Sequence, residues 1–443
     1  PIGEIMDREI KMTHKIPIKQ GEEPVKIRPI PVSGPKLAVL QALVKNLLEA
    51  GVIEKGNINS EWGAPVLLLR KGGTRAGLTN SWRIVCDFRQ LNAKSQKLTW
   101  TPPNVREILD DLQGHKYFSK TDAVGGFYQL ELEESDREKT TFRIKNERGG
   151  MDAYRFRVSC LGLQGCPHSY QNFMERVVEG LKNTYVYLDD VVIASKTWEE
   201  HLLQLVAYFA RCEEYKVFLH PLKCEFGVEE IEYLGLKVSK NRIQISDDKI
   251  AAVKAYNRPD SYPALHRFLG FANYLACFIQ HHAEKTAPLS DLLKGGDKKK
   301  KFIWNQACES SFLQIKQNLI DAVGLGIPDK DGDLVVETDA SGVACGAVLY
   351  QYTDNRLVPL WYLSKKLNKH EKNYSARDRE ALAVCWALSK LQSYLHLKPF
   401  VLYSDHQSLI YLKTQKEIKT SRDYRWMEII SQYDFEQRYR KGE

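Results

Sequence analysis

The chain has 443 residues, room for roughly three domains of about 150 residues each. Its 43% hydrophobic and 27% charged content suits a globular protein with a sizeable core. The net charge of +8 is compatible with a polyanionic partner without requiring one. No stretch approaches the roughly 20 apolar residues of a membrane helix, so a membrane partner is not expected. Nine scattered cysteines, odd in number and lacking a Cys-x-x-Cys pair, argue against a disulfide framework or a zinc ribbon and point to a reducing compartment. The chain opens on Pro1 with no signal peptide and is expected to be a piece of a longer product.

Residues 1–35, rich in Pro, Lys and Ile, read as an extended arm. The spacing of Leu37, Leu40, Val44, Leu47 and Leu48 predicts a helix over 35–50, stopped by Gly51. Strands over 64–69 and 82–88 flank a basic, glycine-rich loop from Arg70 to Gly77. That loop is either a solvated hairpin tip or a clamp that closes over a triphosphate. The run 116–121 ends on Asp122 and precedes Gly125-Gly126-Phe127-Tyr128. Helix is expected over 167–181, and a hairpin over 185–194 with Leu188-Asp189-Asp190 at its turn. The pattern is helical from 247 to 294, with Leu265, Phe268, Leu269, Phe271 and Tyr274 as apolar ridges. The Lys/Gly run 294–301 reads as a solvated linker. A helix over 306–319 leads to Gly324 and Pro328, a second boundary. Strands 334–338, 346–351 and 357–364, a helix 376–391 and a strand 400–404 then make a compact α/β unit.

Two acidic clusters stand out: Asp122 with Asp189 and Asp190, and Asp339 with Glu380 and Asp405. Each lies at the ends of apolar runs, where carboxylates can converge. Phosphoryl transfer between nucleotides needs charge neutralised on the attacking and leaving oxygens, which two divalent ions about 3.5–4 Å apart supply. Magnesium prefers such oxygen ligands. Neighbours in a strand point to opposite faces, so Asp189 and Asp190 cannot both ligate from mid-strand, whereas at a hairpin tip they diverge less. Asp189 is expected to join Asp122 in holding both ions, with Asp190 in support. Taken singly, Glu380 is a solvated helix residue and Asp405 a strand-end cap; together with Asp339 they suit a second two-metal site.

The ordered segments carry a resemblance. Trp82-Arg83-Ile84-Val85-Cys86-Asp87-Phe88, the Asp122 block, Leu161-Gly162-Leu163-Gln164-Gly165, Tyr187-Leu188-Asp189-Asp190 and Tyr233-Leu234-Gly235 together resemble a reverse transcriptase. Lys223-Cys224-Glu225-Phe226-Gly227 and Phe268-Leu269-Gly270-Phe271-Ala272-Asn273-Tyr274 make it similar to the Ty3/gypsy class of LTR retrotransposons. Thr338-Asp339-Ala340-Ser341, Tyr374-Ser375-Ala376 with Glu380, and Ser404-Asp405-His406 look like the RNase H domain of that class.

The resemblance implies an α/β (α+β) fold: a right-hand polymerase of fingers, palm and thumb followed by an RNase H-like α/β domain. Fingers and palm would cover 1–235, thumb and linker 236–322, and RNase H 323–443. It implies RNA- and DNA-templated DNA synthesis with cleavage of the RNA strand of hybrids, and catalytic and metal-holding roles for Asp122, Asp189, Asp190, Asp339, Glu380 and Asp405. The cofactor would be Mg2+ or Mn2+, two ions per site. Arg83 with Lys71 or Arg70 would bind the triphosphate. Phe127 would exclude a ribose 2′-hydroxyl, with Gly126 leaving room for the sugar. Leu234 and Gly235 would form the primer grip, and the helices of 247–294 the thumb. Partners would be RNA/DNA hybrid, DNA duplex and deoxynucleoside triphosphates, with a homodimer left open and residence in a cytoplasmic virus-like particle. Leu161 departs from the Gln or Phe of many relatives. The family's fourth RNase H aspartate falls beyond Glu443, and Asp434 does not replace it, so hydrolysis is expected to be weak or absent in this molecule. His406 reads as an ordinary exposed histidine. Two other readings share these motifs: a non-catalytic nucleic-acid-binding relic, and a pararetrovirus-type polymerase.

Overall fold

A computed structural model describes residues 12–70, 82–112, 114–294, 302–329, 332–353, 356–396, 398–405 and 421–440. Lys71 and the rest of its loop, the linker run 295–301 and His406 lie outside the described residues. The chain packs as two compact units, Pro1–Ile231 and Glu232–Glu443. The spans 236–322 and 323–443 thus fall within one unit.

In the first unit, helix α1 (Pro35–Glu49) opens on proline and buries Val39, Leu40 and Val44, and Gly51 follows it at φ +74°. Strands β1 (Val66–Arg70) and β2 (Trp82–Cys86) form an antiparallel ribbon. The central sheet contains β3 (Tyr117–Asp122), β4 (Thr184–Tyr187), β5 (Asp190–Ser195) and β6 (Glu225–Val228), in the order β6-β3-β5-β4. Its strands are rich in Val, Ile and Tyr, which suit a pleated, half-buried surface. Helices α2 (Cys166–Val177) and α3 (Trp198–Glu214) back it. Tyr170, Phe173 and Met174 of α2 meet Val191 and Ile193 of β5 and Leu205 and Tyr208 of α3 in one apolar cluster. Polar pegs fix the sheet on α3. Tyr208 hydroxyl lies 2.9 Å from Thr121 Oγ1, and His201 sits between Ser119 Oγ at 2.7 Å and Ser195 Oγ at 2.9 Å.

In the second unit, β7 (Glu230–Tyr233), β8 (Leu236–Ser239), β9 (Arg242–Ile245) and β10 (Leu325–Gly326) make a small sheet in that order. The Gly324–Pro328 region, read from sequence as a boundary, therefore contributes a strand, with Ile243 opposite Leu325. Helices α4 (Asp247–Ala255), α5 (Tyr262–Tyr274), α6 (His282–Lys285), α7 (Ala287–Lys294) and α8 (Gln306–Ile320) fill the expected helical region. The second sheet contains β11 (Leu334–Ala340), β12 (Ala344–Thr353), β13 (Arg356–Lys366), β14 (Phe400–Ser404) and β15 (Phe435–Tyr439), ordered β13-β12-β11-β14-β15. β12 runs antiparallel to β11 and β13, whereas β11, β14 and β15 are parallel. Helix α9 (Ala376–Lys390) starts on Ser375, whose hydroxyl accepts from Asp378 N. It packs Ala381, Val384, Cys385 and Leu388 into a core shared with Trp426 and Ile430 of α10 (Ser421–Ser431).

Candidate active sites

Folding brings Asp122 and Asp190 together by strand register. They are direct partners across the antiparallel β3–β5 pair and so share one face of the sheet. Asp189 sits one residue earlier, in the tight turn that joins Tyr187 to its partner Asp190. The turn has Leu188 at φ +54°, a conformation that favours glycine and that leucine rarely adopts. Gln171 of α2 holds it there. Its Oε1 accepts from Leu188 N at 2.7 Å, and its Nε2 donates to Val186 O at 3.1 Å and to Glu175 Oε1 at 3.0 Å. Gln171 is fully buried on a helix face that otherwise reads as core, and no sequence signal marked it.

Two lysines balance this acidic face. Lys223 Nζ lies 3.2 Å from Asp122 Oδ1, and Lys120 Nζ 3.2 Å from Asp190 Oδ1. Among the described residues Asp189 has no such partner. Burial first, then the charges of Asp122 and Asp190, push its carboxyl above the usual range, against the pull of the Tyr170 hydroxyl and Lys223. Its Oδ1 is buried without a hydrogen-bond partner. Gly126 is why it fits: at φ +34°, a Cβ there would collide with the Asp189 carboxylate. The sequence reading gave Gly126 to a bound sugar; here it faces Asp189. Phe127 is half-buried, with its ring edge-on to Tyr170 at 5.4 Å. Below the site, Gln129 donates to Val124 O and Phe218 O, both at 2.8 Å, and accepts from Phe218 N. These bonds tie down the segments on either side of Asp122, whose own carbonyl accepts from His220 N.

Arg83 is exposed on β2 opposite Leu69. Arg70 pairs with Trp82 and lies 5.8 Å from the centre of its ring. Cross-strand partners share a face and strand neighbours alternate, so Arg70 and Arg83 leave the ribbon on opposite faces. Arg70 is therefore a poor companion for Arg83, and Lys71 lies outside the described residues. Leu234 and Gly235 form the turn between β7 and β8, at φ +53° and +76°.

The second cluster is the tighter one. Ligand oxygens of Asp339, Glu380 and Asp405 all lie within 4.8 Å of one another, the one such group among the described residues. Asp339 belongs to β11 and Asp405 follows β14, and the last pair between these parallel strands is Thr338 with Ser404. Glu380 is buried rather than solvated, at 4% exposure, and its Oε1 accepts from Ala340 N at 3.0 Å. Burial first, then Asp405 and Asp339, push its carboxyl up to about 8. Glu380 Oε2 and Asp405 Oδ1 are buried with no hydrogen-bond partner. Clustered, desolvated carboxylate oxygens lacking protein donors fit a divalent cation. Asp339 and Asp405 line a cleft of about 350 Å3 together with Glu337, Tyr403 and Arg440. Sequence reasoning missed one neighbour. His281, at φ +55° just before α6, brings Nδ1 to 3.9 Å from Asp339 Oδ2. Ala283 N donating to Ser364 Oγ at 2.9 Å holds its segment against β13.

Each of the two clusters falls within a segment that matches a known domain family. The family described as reverse transcriptase (RNA-dependent DNA polymerase) matches residues 69–238, and the RNase H-like domain found in reverse transcriptase matches 329–433. The retrovirus-related Pol polyprotein from transposon 412 of Drosophila melanogaster is 31% identical over 96% of this chain and 34% of its own length. That from transposon 297 is 33% identical over 90% of this chain and 36% of its length, and that from transposon gypsy 31% over 90% and 39%. The chain thus spans about a third of the length of these relatives. Among solved structures, foamy viral protease-reverse transcriptase dRH in complex with double-stranded DNA superposes with a TM-score of 0.81, at 20% identity, over 98% of this chain and 75% of that one. The same viral protein with RNA/DNA hybrid gives 0.76, over 98% and 57%. At that identity the likeness shows the fold, which is the α/β polymerase-plus-RNase H architecture read from the sequence. The chain thus carries a reverse-transcriptase domain and an RNase H-like domain found in reverse transcriptase, and over most of its length it is similar to the Pol polyproteins of gypsy-type retrotransposons.

Proposed function

We propose that the first unit extends a DNA primer on an RNA or DNA template and that the second cleaves the RNA strand of the hybrid. The observation that carries the first half is the register pairing of Asp122 with Asp190, with Asp189 in the adjoining turn. Asp122 and Asp189 would hold two Mg2+ or Mn2+ ions, with Asp190 in support. When bound, such ions lower the pKa of the attacking oxygen and neutralise charge on the leaving group. Lys223 and Lys120 stand in for them as counter-charges and would release Asp122 and Asp190 on loading. Arg83, with Lys71, would hold the triphosphate of an incoming deoxynucleotide, and Phe127 would close off the side of its sugar.

In the second unit, Asp339, Glu380 and Asp405 would hold ions of the same kind. The Glu380 carboxyl must give up its proton to do so. The hybrid would be read through backbone and 2′-hydroxyls rather than base edges, with affinity falling steeply with salt.

The test is primer extension on an RNA template with both strands labelled, comparing the parent protein with Asp189→Asn. We expect extension to fall by about a thousandfold or more, as the loss of a metal-holding carboxylate implies. Extension at the parent rate would overturn the site assignment.

A further inference from the structure

Two side chains from different helices converge on one backbone carbonyl. Lys249 Nζ of α4 donates to Leu234 O at 3.2 Å, and Tyr274 hydroxyl, at the end of α5, donates to the same oxygen at 2.8 Å. The ammonium also lies 3.9 Å from the centre of the Tyr274 ring, within cation–π range. The next carbonyl, Gly235 O, accepts from Ser246 N, the residue that caps α4. The turn itself sits in a sparsely populated region, with Leu234 at φ +53° and Gly235 at +76°. A Cβ on Gly235 would fall inside the Lys249 stem, so a glycine here lets the lysine reach its carbonyl. Burial lowers the Lys249 pKa, whereas the Glu232 carboxylate raises it. The Tyr274 ring stays 40% exposed, so this pair is not part of the apolar core. An exposed tyrosine and a half-desolvated lysine spent on one turn carbonyl are a costly way to stabilise a loop. They are a direct way to keep that loop from moving.

We propose that Lys249 and Tyr274 are positioning residues that clamp the Leu234–Gly235 turn to α4 and α5 and so fix where the primer 3′ end is held. This rests on the reading of that turn as the primer grip. The hydrogen bonds act on the backbone of the turn, so their loss lets it relax from its left-handed conformation and blurs the position of the terminus. The duplex itself would stay bound through phosphate contacts made elsewhere. Reaction rate therefore suffers and affinity does not, because a misplaced reactant lowers the fraction of complexes aligned for attack.

The experiment is single-turnover extension of a DNA primer by the full chain, with Lys249→Met, Tyr274→Phe, Gly235→Ala and the Lys249→Met/Gly235→Ala pair. Melting temperature and duplex dissociation constant are measured on every variant. For Lys249→Met and for Tyr274→Phe we expect extension of bound duplex to slow by about three- to tenfold, as loss of one hydrogen bond at a positioning element implies. Duplex affinity should stay within about twofold and melting temperature should be unmoved, since neither side chain belongs to the core. Primers labelled with 2-aminopurine at the 3′ end should show a more mobile terminus. The effects of Gly235→Ala and Lys249→Met should be less than additive, because both undo one contact. If Gly235→Ala slows extension while Lys249→Met and Tyr274→Phe do not, the clamp is wrong and the primer-grip reading stands. If Gly235→Ala also extends at the parent rate, that reading falls and the clamp with it. A loss confined to duplex affinity would make the two side chains phosphate contacts and likewise overturn the clamp.

Discussion

In the first unit the clustered acids stand beside lysines; in the second they stand beside one another. Asp122 and Asp190 each have an ammonium group 3.2 Å away, so that face is nearly charge-balanced without any ion. Among the described residues no lysine pairs with Asp339, Glu380 or Asp405, and burial first, then the charges of Asp405 and Asp339, keeps Glu380 protonated up to about 8. One centre is balanced by lysine side chains, the other by a proton. Cation affinity in the second unit should therefore be linked to pH, and that in the first to the two lysines.

The comparison breaks most readily at Gly126. Alanine there would drive the Asp189 carboxylate out of place, and we expect extension to fall by about a hundredfold or more, in line with displacements of about 1 Å in a reacting group. Duplex binding should be untouched. Full extension by Gly126→Ala would show that the turn relocates freely. Gln171→Met tests the same turn from beneath. It leaves Leu188 N without its partner, so denaturant unfolding should show a loss of about 1–3 kcal/mol, with slower extension and unchanged hydrolysis.

Glu380→Gln sharpens the other half. The folded carboxyl titrates near 8 against an ordinary 4.5, so the folded state holds the extra proton between these values. Its contribution is intact below the ordinary value and is lost as pH rises through 4.5 to 8. Without divalent ions the parent should therefore lose stability over that window, and Glu380→Gln should lose less, with a gap on the order of 2 kcal/mol at the alkaline end. Saturating Mg2+ should stabilise the parent above the variant. Parallel pH curves would refute the protonated-glutamate account. The smallest effect is expected for Lys223→Met. Its side chain is 58% exposed, so unfolding free energy should shift by less than about 1 kcal/mol. The change should appear instead as a lower Mg2+ concentration for half-maximal extension, because the ion no longer displaces a lysine.

The acidic positions were legible because strand ends announce themselves. The apolar runs before Asp122 and Asp339, and that around the Asp189-Asp190 turn, set both period and terminus, and the register follows from pairing. What escaped the sequence acts at a distance. Gln171 looks like one more helix residue until the turn it supports lies over it. His281 reaches Asp339 from a segment nearly sixty residues earlier in the chain, and no periodicity encodes that approach. The opposite facing of Arg70 and Arg83 depends on the register of the ribbon, which no residue pattern announces. Gly324 and Pro328 read as a boundary, yet the strand Leu325–Gly326 lies between them, because glycine and proline mark an edge strand as readily as a linker. Glu380 shows the limit of reading residues one at a time: alone it resembles any helical glutamate, and only the convergence of β11 and β14 turns its face into the floor of a site.

The pairing of Thr338 with Ser404 carries an evolutionary consequence. Side chains alternate along a strand, so inserting or deleting a single residue inside β11 or β14 would swing Asp339 or Asp405 from the cleft to the opposite side of the sheet and scatter the ligand set in one step. Loops outside these strands can lengthen at little cost, because loop closure grows slowly with length. Single-residue insertions and deletions are the errors that such a register cannot absorb. In this half of the molecule such errors should accumulate in the bends and be purged from two short strands, a pattern that sequencing the progeny of an actively copying element would reveal.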